Sequence, residues 1–351
     1  VLNKKWLVGV ILISVFVSGF LVSFIGLSVY NSISKKSLQD TNNLSANFAR
    51  ATAAPINNNN PQKGVYNVLL LGYGGGNHEG TLLTDSIIVI HVDTNIHKAT
   101  LISVPRDLWV PGNTKINAVG VTGFQNTMPF VTNITGLPVN YYVSVDFGGF
   151  TKIINDIGGI TVQVPVSFDD PFYPIIGQEN NVCGLTDPQI FELKNKYQGF
   201  ELERQFACRY EHLHYDGGTT ANLDGTLALK FVRSRHGDSD FGRSLRQFAV
   251  LTAIGNKLIT LKSLNKIDET VNTLFGMVRT DLDLGTIKSL GQVFLPAQAS
   301  TDPNLYKINQ IQLTTDNVLN QGFASDGEFI LTPKSGNFNF SGIKNYINSN
   351  L

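Results

Sequence analysis

The sequence has no GxSxG elbow, no HExxH and no Gly-Lys-Ser behind its glycine-rich stretch. The usual serine-hydrolase, zinc-protease and nucleotide P-loop chemistries therefore have no seat in it. Net charge is missing too. Its 27 Lys and Arg balance 27 Asp and Glu at a pI near 7.2, which leaves no global field for wrapping nucleic acid. Any anionic partner must be met by a local arrangement. Cysteine is almost absent: Cys183 and Cys208 lie in one loop-rich stretch. They are either a bridge worth about 3 kcal/mol, which would place the domain in an oxidising space, or two unrelated buried thiols. His212 and His214 are of zinc-binding type, but no cysteine or carboxylate falls near them at finger-like spacing. No internal repeat is present. With 351 residues and 42% hydrophobic content, the chain can bury one large core or two smaller ones.

The N-terminus carries the longest apolar run. After Lys4 and Lys5, no charge appears from Trp6 to Tyr30. As a helix this run spans roughly 37 Å, enough to cross a hydrocarbon core of about 30 Å. A cleaved secretory signal would be shorter, with a small-residue site close behind it, and the nearest Ala-x-Ala is at Ala51–Ala53. The expectation is a short start (1–5), an uncleaved anchor (6–30) and an Asn/Ser/Pro-rich linker (31–63). A catalytic domain of 64–351 follows. Lysines flank the run evenly, so the positive-inside count leaves orientation open.

Past the linker, "YNVLLLGYGGG", "DSIIVIHVD" and "KATLISVP" have the length and β-branching of buried strands, and "NYYVSVDFGGF" and "GGITVQVPV" add two more. Residues 151–157 fit a short covering helix, and 222–232 another. A long helical pattern runs from Asp240, the expected N-cap, towards Thr260, and 263–294 also reads as helical. Strands mixed with covering helices predict an α/β layered domain with a central mixed sheet.

Four of the nine arginines fall in "RSRHGDSDFGRSLR". Asp238 and Asp240 offset only part of that charge, so the stretch calls for an anion. Arg243 and Gln247 share a helix face at i and i+4, and an extended Arg233-x-Arg235 aims both side chains one way. Guanidinium forks match phosphate oxygens, each charge-assisted bond being worth roughly 1.5–3 kcal/mol. The alternative is a solvated helix face laced with Asp–Arg pairs. At other strand ends, where open sheets bind ligands, lie the glycine loop with His78 and Glu79, then Asp85, then Arg106 and Asp107. Asp85 is either a turn residue or a ligand for a divalent cation shared with phosphate oxygens. No aromatic stacking platform is interleaved with the arginines, which argues against a nucleic-acid partner.

The blocks "NVLLLGYGG", "LTDSIIVI", "ATLISVPRDLWV", "KINA", "GLPVNYYVSVDFGGFTKIINDIGGITVQVP", "LDGTLALKFVRSRHGDSDFGRSLRQ" and "GEFILTPKSGNF", in that order, resemble the LytR-CpsA-Psr family of bacterial envelope proteins. The resemblance implies an α/β/α domain held outside the cell membrane by a single-pass helix, N-terminus inside. It implies a phosphotransferase moving a glycan from an undecaprenyl-pyrophosphate carrier onto peptidoglycan. A pyrophosphate-lipid hydrolase and a non-enzymatic envelope regulator remain the alternatives. Carried over by motif, Asp85 is a Mg2+ ligand, and Arg106, Arg233, Arg235, Arg243 and Gln247 are pyrophosphate ligands. Arg246 and Asp240 are supports, with Arg246 also a candidate substrate contact, and Asp107 orients or deprotonates the acceptor. The family's second metal-binding acid is absent: Gly74 stands in its place, with Glu79 or Asp107 as substitutes. Val143, Val145, Phe147, Phe150, Ile154 and Ile157 are candidate lining for a cavity holding the carrier's hydrocarbon tail.

Overall fold

The computed structural model describes residues 61–76, 80–235, 237, 239–263, 274–283 and 307–351. The expected anchor, most of the expected linker, and His78, Glu79 and Asp238 lie outside these residues. Among the described residues, no helix is long and apolar enough to cross a membrane. Residues 56–110 and 114–351 form one compact unit.

The first three apolar runs form neighbouring antiparallel strands, β1 (Val65–Tyr73), β2 (Thr84–Asp93) and β3 (Lys98–Ser103). The hairpin strands β4 (Trp109–Val110) and β5 (Thr114–Lys115) follow, then helices α1 (Ile116–Val119) and α2 (Thr127–Thr135). Strand β6 (Tyr141–Asp146) returns parallel to β1 and runs directly into α3 (Phe147–Asp156). That helix starts before the expected 151–157 because the Asp146 carboxylate accepts from the Gly149 amide at 2.7 Å and caps it.

The next segment is β7 (Ile160–Gln163), β8 (Phe168–Pro174), α4 (Asp187–Lys196), α5 (Gly199–Glu203), β9 (Tyr210–Tyr215) and β10 (Thr220–Leu223). β7 pairs with β10 and β8 with β9, both outside the main sheet. Cys183 and Cys208 form a disulfide across this segment, Cα to Cα 5.5 Å. Asp224 caps α6 (Gly225–Arg233), accepting from the Leu227 amide at 2.8 Å, so the expected helix at 222 begins three residues later. Helix α7 spans Asp240–Ser263.

Of the run read as helical over 263–294, residues 264–273 and 284–294 lie outside the described residues; within the described part, the two residues of β11 (Arg279–Thr280) pair with the edge of β6. Their backbone groups are satisfied there, with the Thr280 hydroxyl donating to the Tyr142 carbonyl. Strand β12 (Lys307–Gln312) adds parallel to β3, and β13 (Leu319–Phe323), β14 (Phe329–Pro333) and α8 (Ser341–Asn350) complete the chain. The main sheet has the order β11-β6-β1-β2-β3-β12, a mixed sheet as expected.

Strand periodicity splits β1 between two environments. Asn67, Leu69, Leu71 and Tyr73 are buried, while Leu70 and Gly72 on the other face look into a cavity roofed by α3, α6 and α7. Gly225 brings α6 hard against α3: a Cβ there would stand 2.0 Å from the Thr151 carbonyl oxygen, and its amide donates to Asn155 Oδ1 at 2.8 Å. This approach sets the C-terminal end of α6, and thus Arg233, beside the start of α3.

Candidate active site

The start of one strand, the loop after another and two helix ends converge on the cavity's mouth. Asp85 stands on β2 across from the bulge at Gly72 and Tyr73. Arg106 follows β3 and reaches Asp85 Oδ1 through Nη1 at 2.5 Å. Its Nε is buried with no hydrogen-bond partner, the Asp107 carboxylate lying 3.6 Å away. On α7, Arg243 is 8% exposed and holds Asp240 Oδ1 at 3.1 Å; Gln247, one turn on, accepts from the Ser86 hydroxyl at 3.2 Å. Arg233 ends α6 with its guanidinium 4.1 Å from the centre of the Phe147 ring, a cation–π contact. Arg235, half exposed, shares Asp240 with Arg243, its Nε at 3.4 Å.

All of the expected phosphate ligands, Arg106, Arg233, Arg235, Arg243 and Gln247, line one cavity of about 370 Å³ together with Asp85. Beneath them its wall is apolar, with Leu70, Val143, Phe150, Leu229, Val250 and Ile254 among the lining. Native interiors hold few voids larger than a water molecule, so an apolar hollow of this size under four guanidiniums fits an amphiphilic anion. The charges agree. Four cations face the carboxylates of Asp85 and Asp146, an excess of two before Asp240 is counted. Burial lowers the pKa of Arg243; Asp240 raises it, but Arg106 and Arg235 lower it further, and the net direction is down. Burial also works against Arg106, yet Asp85 and Asp107 outweigh it and its pKa is raised. Arg243 is thus the group most in need of an anion.

Several sequence-predicted residues sit elsewhere. Arg246 is fully buried, its Nε donating to the Phe231 carbonyl at 2.8 Å, Nη2 to the Ser234 carbonyl at 2.6 Å, with the guanidinium 4.2 Å from the centre of the Phe168 ring. It pins the end of α6 and does not line the cavity, so the expected substrate contact is replaced by a support. Ser239, not Asp240, caps α7, accepting from the Gly242 amide at 3.3 Å, because the Asp240 carboxylate is taken up by the two arginines. Ile154 and Ile157 belong to the packed core formed with β7, β8 and α6, whereas Val143, Val145, Phe147 and Phe150 do line the cavity. Asp107 is buried against Lys115 Nζ at 3.0 Å and lines a second cavity of about 160 Å³ that shares Asp85, Arg106, Arg243 and Gln247 with the first.

Asp146 was missed. Its "DFGG" capping signal is local and legible, but its place on the cavity wall depends on β6 lying beside β1. A Cβ on Gly75, which has φ +69°, would stand 2.8 Å from Asp146 Cβ, so the glycine loop lies against this carboxylate. Where the acid at Gly74 is missing, Asp146 is the second carboxylate of the cavity. Both are oxygen donors of the type a hard divalent cation takes; Asp85, 43% exposed, has Oδ1 on Arg106 and Asp146 has Oδ1 on the Gly149 amide, which leaves each carboxylate's Oδ2 for an ion.

Fold and site together define an α/β protein with an apolar cavity rimmed by guanidinium groups. The chain belongs to the LytR_cpsA_psr family, whose model matches residues 27–327. Among curated relatives it is 27% identical over 246 residues to the polyisoprenyl-teichoic acid–peptidoglycan teichoic acid transferase TagV of Bacillus subtilis, covering 66% of this chain but only 54% of that protein. It is 27% identical over 289 residues to the TagU transferase of Enterococcus faecalis, covering 79% of this chain and 77% of that protein. The crystal structure of B. subtilis TagV superposes with a TM-score of 0.58 at 24% identity, over 83% of this chain and 98% of that one, which shows a shared fold.

Proposed function

We propose that the protein is a glycopolymer-phosphate transferase that moves a glycan from a polyprenyl-pyrophosphate carrier onto peptidoglycan or a similar wall acceptor. The supporting observation is the convergence of Arg106, Arg233, Arg235, Arg243 and Gln247 on the mouth of an apolar cavity. The hydrocarbon tail enters that cavity, gaining about 0.8 kcal/mol per buried CH₂. The diphosphate rests among the arginines, and the glycan extends into the outer groove lined by Tyr173, Glu179, Arg233 and Arg235.

The acceptor hydroxyl approaches through the smaller cavity, where Asp107 orients it and takes its proton. The acceptor oxygen bonds to the glycan-bearing phosphorus, the bridging P–O bond breaks, and polyprenyl monophosphate leaves. Phosphoryl transfer needs positioning and charge neutralisation rather than a covalent nucleophile, which suits a site without one. Asp85, with Asp146 nearby, would hold Mg2+, which supplies further neutralisation of phosphate charge when bound. The disulfide and the nature of the acceptor support a domain outside the membrane, tethered by the 6–30 segment.

Incubating the full chain with labelled lipid-linked glycan and a peptidoglycan acceptor tests the proposal. Label joined to the polymer is expected. Label only in free phosphosugar would mean a hydrolase, and no turnover a binding module; either overturns the transferase reading.

A further inference from the structure

The geometry points to a second metal site, formed by Asp169, His212 and His214 on the outer face of the antiparallel β8–β9 pair and suited to a borderline divalent ion such as Zn2+. Strand alternation builds it. His212 and His214 stand two apart on β9 and project to one side, while Leu213 between them is buried in the core. Asp169 lies directly across from His214 in the antiparallel register, and its neighbour Asp170 points inward, fully buried, accepting from the Ser234 hydroxyl at 2.7 Å. The three donors are therefore carried on two paired, core-anchored strands and not on loops. His212 Nε2 and His214 Nδ1 both lie on the same oxygen, Asp169 Oδ1, at 2.6 and 2.9 Å.

Tetrahedral zinc with bonds of about 2.1 Å needs donor separations of about 3.4 Å, so the two imidazoles have to draw back from the 2.6 and 2.9 Å contacts by under about 1 Å, which exposed side chains do by small rotations, to admit an ion. The donor set, two imidazole nitrogens and a carboxylate, favours such ions over Mg2+. A further contact points the same way. His214 Nε2 lies 3.3 Å from Asp216 Oδ1, the carboxylate–histidine pairing that fixes a ligating imidazole through its other nitrogen. The side chains are 54–58% exposed, which leaves the remaining coordination position to water. Gly237, between α6 and α7, lies against this strand: a Cβ on it would stand 2.6 Å from the Asp169 carbonyl oxygen. A bound ion would therefore stiffen β8 next to the stretch that carries Arg235.

The test is zinc competition against a chromogenic chelator, using the full chain purified without a polyhistidine tag and stripped of metal. One Zn2+ per chain is expected. His212→Ala, His214→Ala and the isosteric Asp169→Asn should each weaken binding at least tenfold, Asp216→Asn by about tenfold, and Asp85→Asn should leave it unaltered. X-ray absorption should show two imidazole donors. Absence of saturable zinc, or binding unchanged in the His212→Ala/His214→Ala double variant, overturns the assignment.

Discussion

Replacing Arg243 with methionine should raise stability while cutting transfer about a hundredfold. The charged guanidinium is buried, and the folded-state pKa is lowered by that burial and by Arg106 and Arg235 despite Asp240. A cation held less well folded than unfolded costs stability throughout the pH range in which it is charged, which here includes neutrality. Its carboxylate partner is not orphaned by the change, since Asp240 keeps Arg235 at 3.4 Å. An apolar side chain of similar length should therefore increase Tm, by about 2–4 °C for each kcal/mol relieved. Function should move the other way. Two charge-assisted bonds to phosphate at about 1.5 kcal/mol each amount to about 3 kcal/mol, or roughly a hundredfold in rate. The assays are calorimetry on the apo protein and label transfer from lipid-linked glycan. Transfer within threefold of the parent would refute the anion-binding role. A Tm several degrees lower would show that Arg243 is there for the fold.

Gly225→Ala forces a methyl into the Thr151 backbone; overpacking of about 1–3 kcal/mol or more should lower Tm and loosen the Arg233–Phe147 contact, as followed by calorimetry and Phe147 ring resonances. Removing the bridge with Cys183→Ser and Cys208→Ser should cost about 3 kcal/mol. In hydrogen exchange the loss of protection should concentrate between β8 and β9 and leave β1–β3 unchanged. His91, whose Nδ1 lies 2.7 Å from Asn67 Oδ1, has a pKa lowered first by burial and then by Lys98, against Asp93. Below pH about 6.5 the unfolded chain takes up this proton more readily than the folded one, so stability is full above that pH and falls as pH drops towards the folded value. Tm measured from pH 7 to 5 should show this slope in the parent and a shallower one in His91→Gln.

The main strands were legible because each is an apolar run closed by glycine, proline or a charged residue, and the arginine site was legible because its members are close in sequence or sit at strand ends. The unforeseen features arise from pairing between distant segments. Arg246, three residues beyond Arg243, looks like part of the same cluster, but its net offset of about 60° around the helix, opposite in sense to the roughly 40° of Gln247, brings it to the Phe231 and Ser234 carbonyls. Asp146 lies inside a run read as a strand, and becomes helix cap and cavity wall only once β6 ends there and lies beside β1. The two histidines acquire their carboxylate from Asp169, more than forty residues upstream, through the β8–β9 register. Ile154 and Ile157 pack into the core with β7, β8 and α6, Ile153 lines the cavity and Phe150 touches both, a division set by where the later strands and helices dock.

A co-crystal structure with a polyprenyl diphosphate bearing a short glycan addresses the central claim most directly. The diphosphate oxygens should lie within hydrogen-bond reach of Arg106, Arg233, Arg235, Arg243 and Gln247, with the tail between the sheet and helices α3, α6 and α7. A diphosphate bound away from those side chains, or a tail left in solvent with the cavity collapsed around Leu70, Val143 and Leu229, would contradict it.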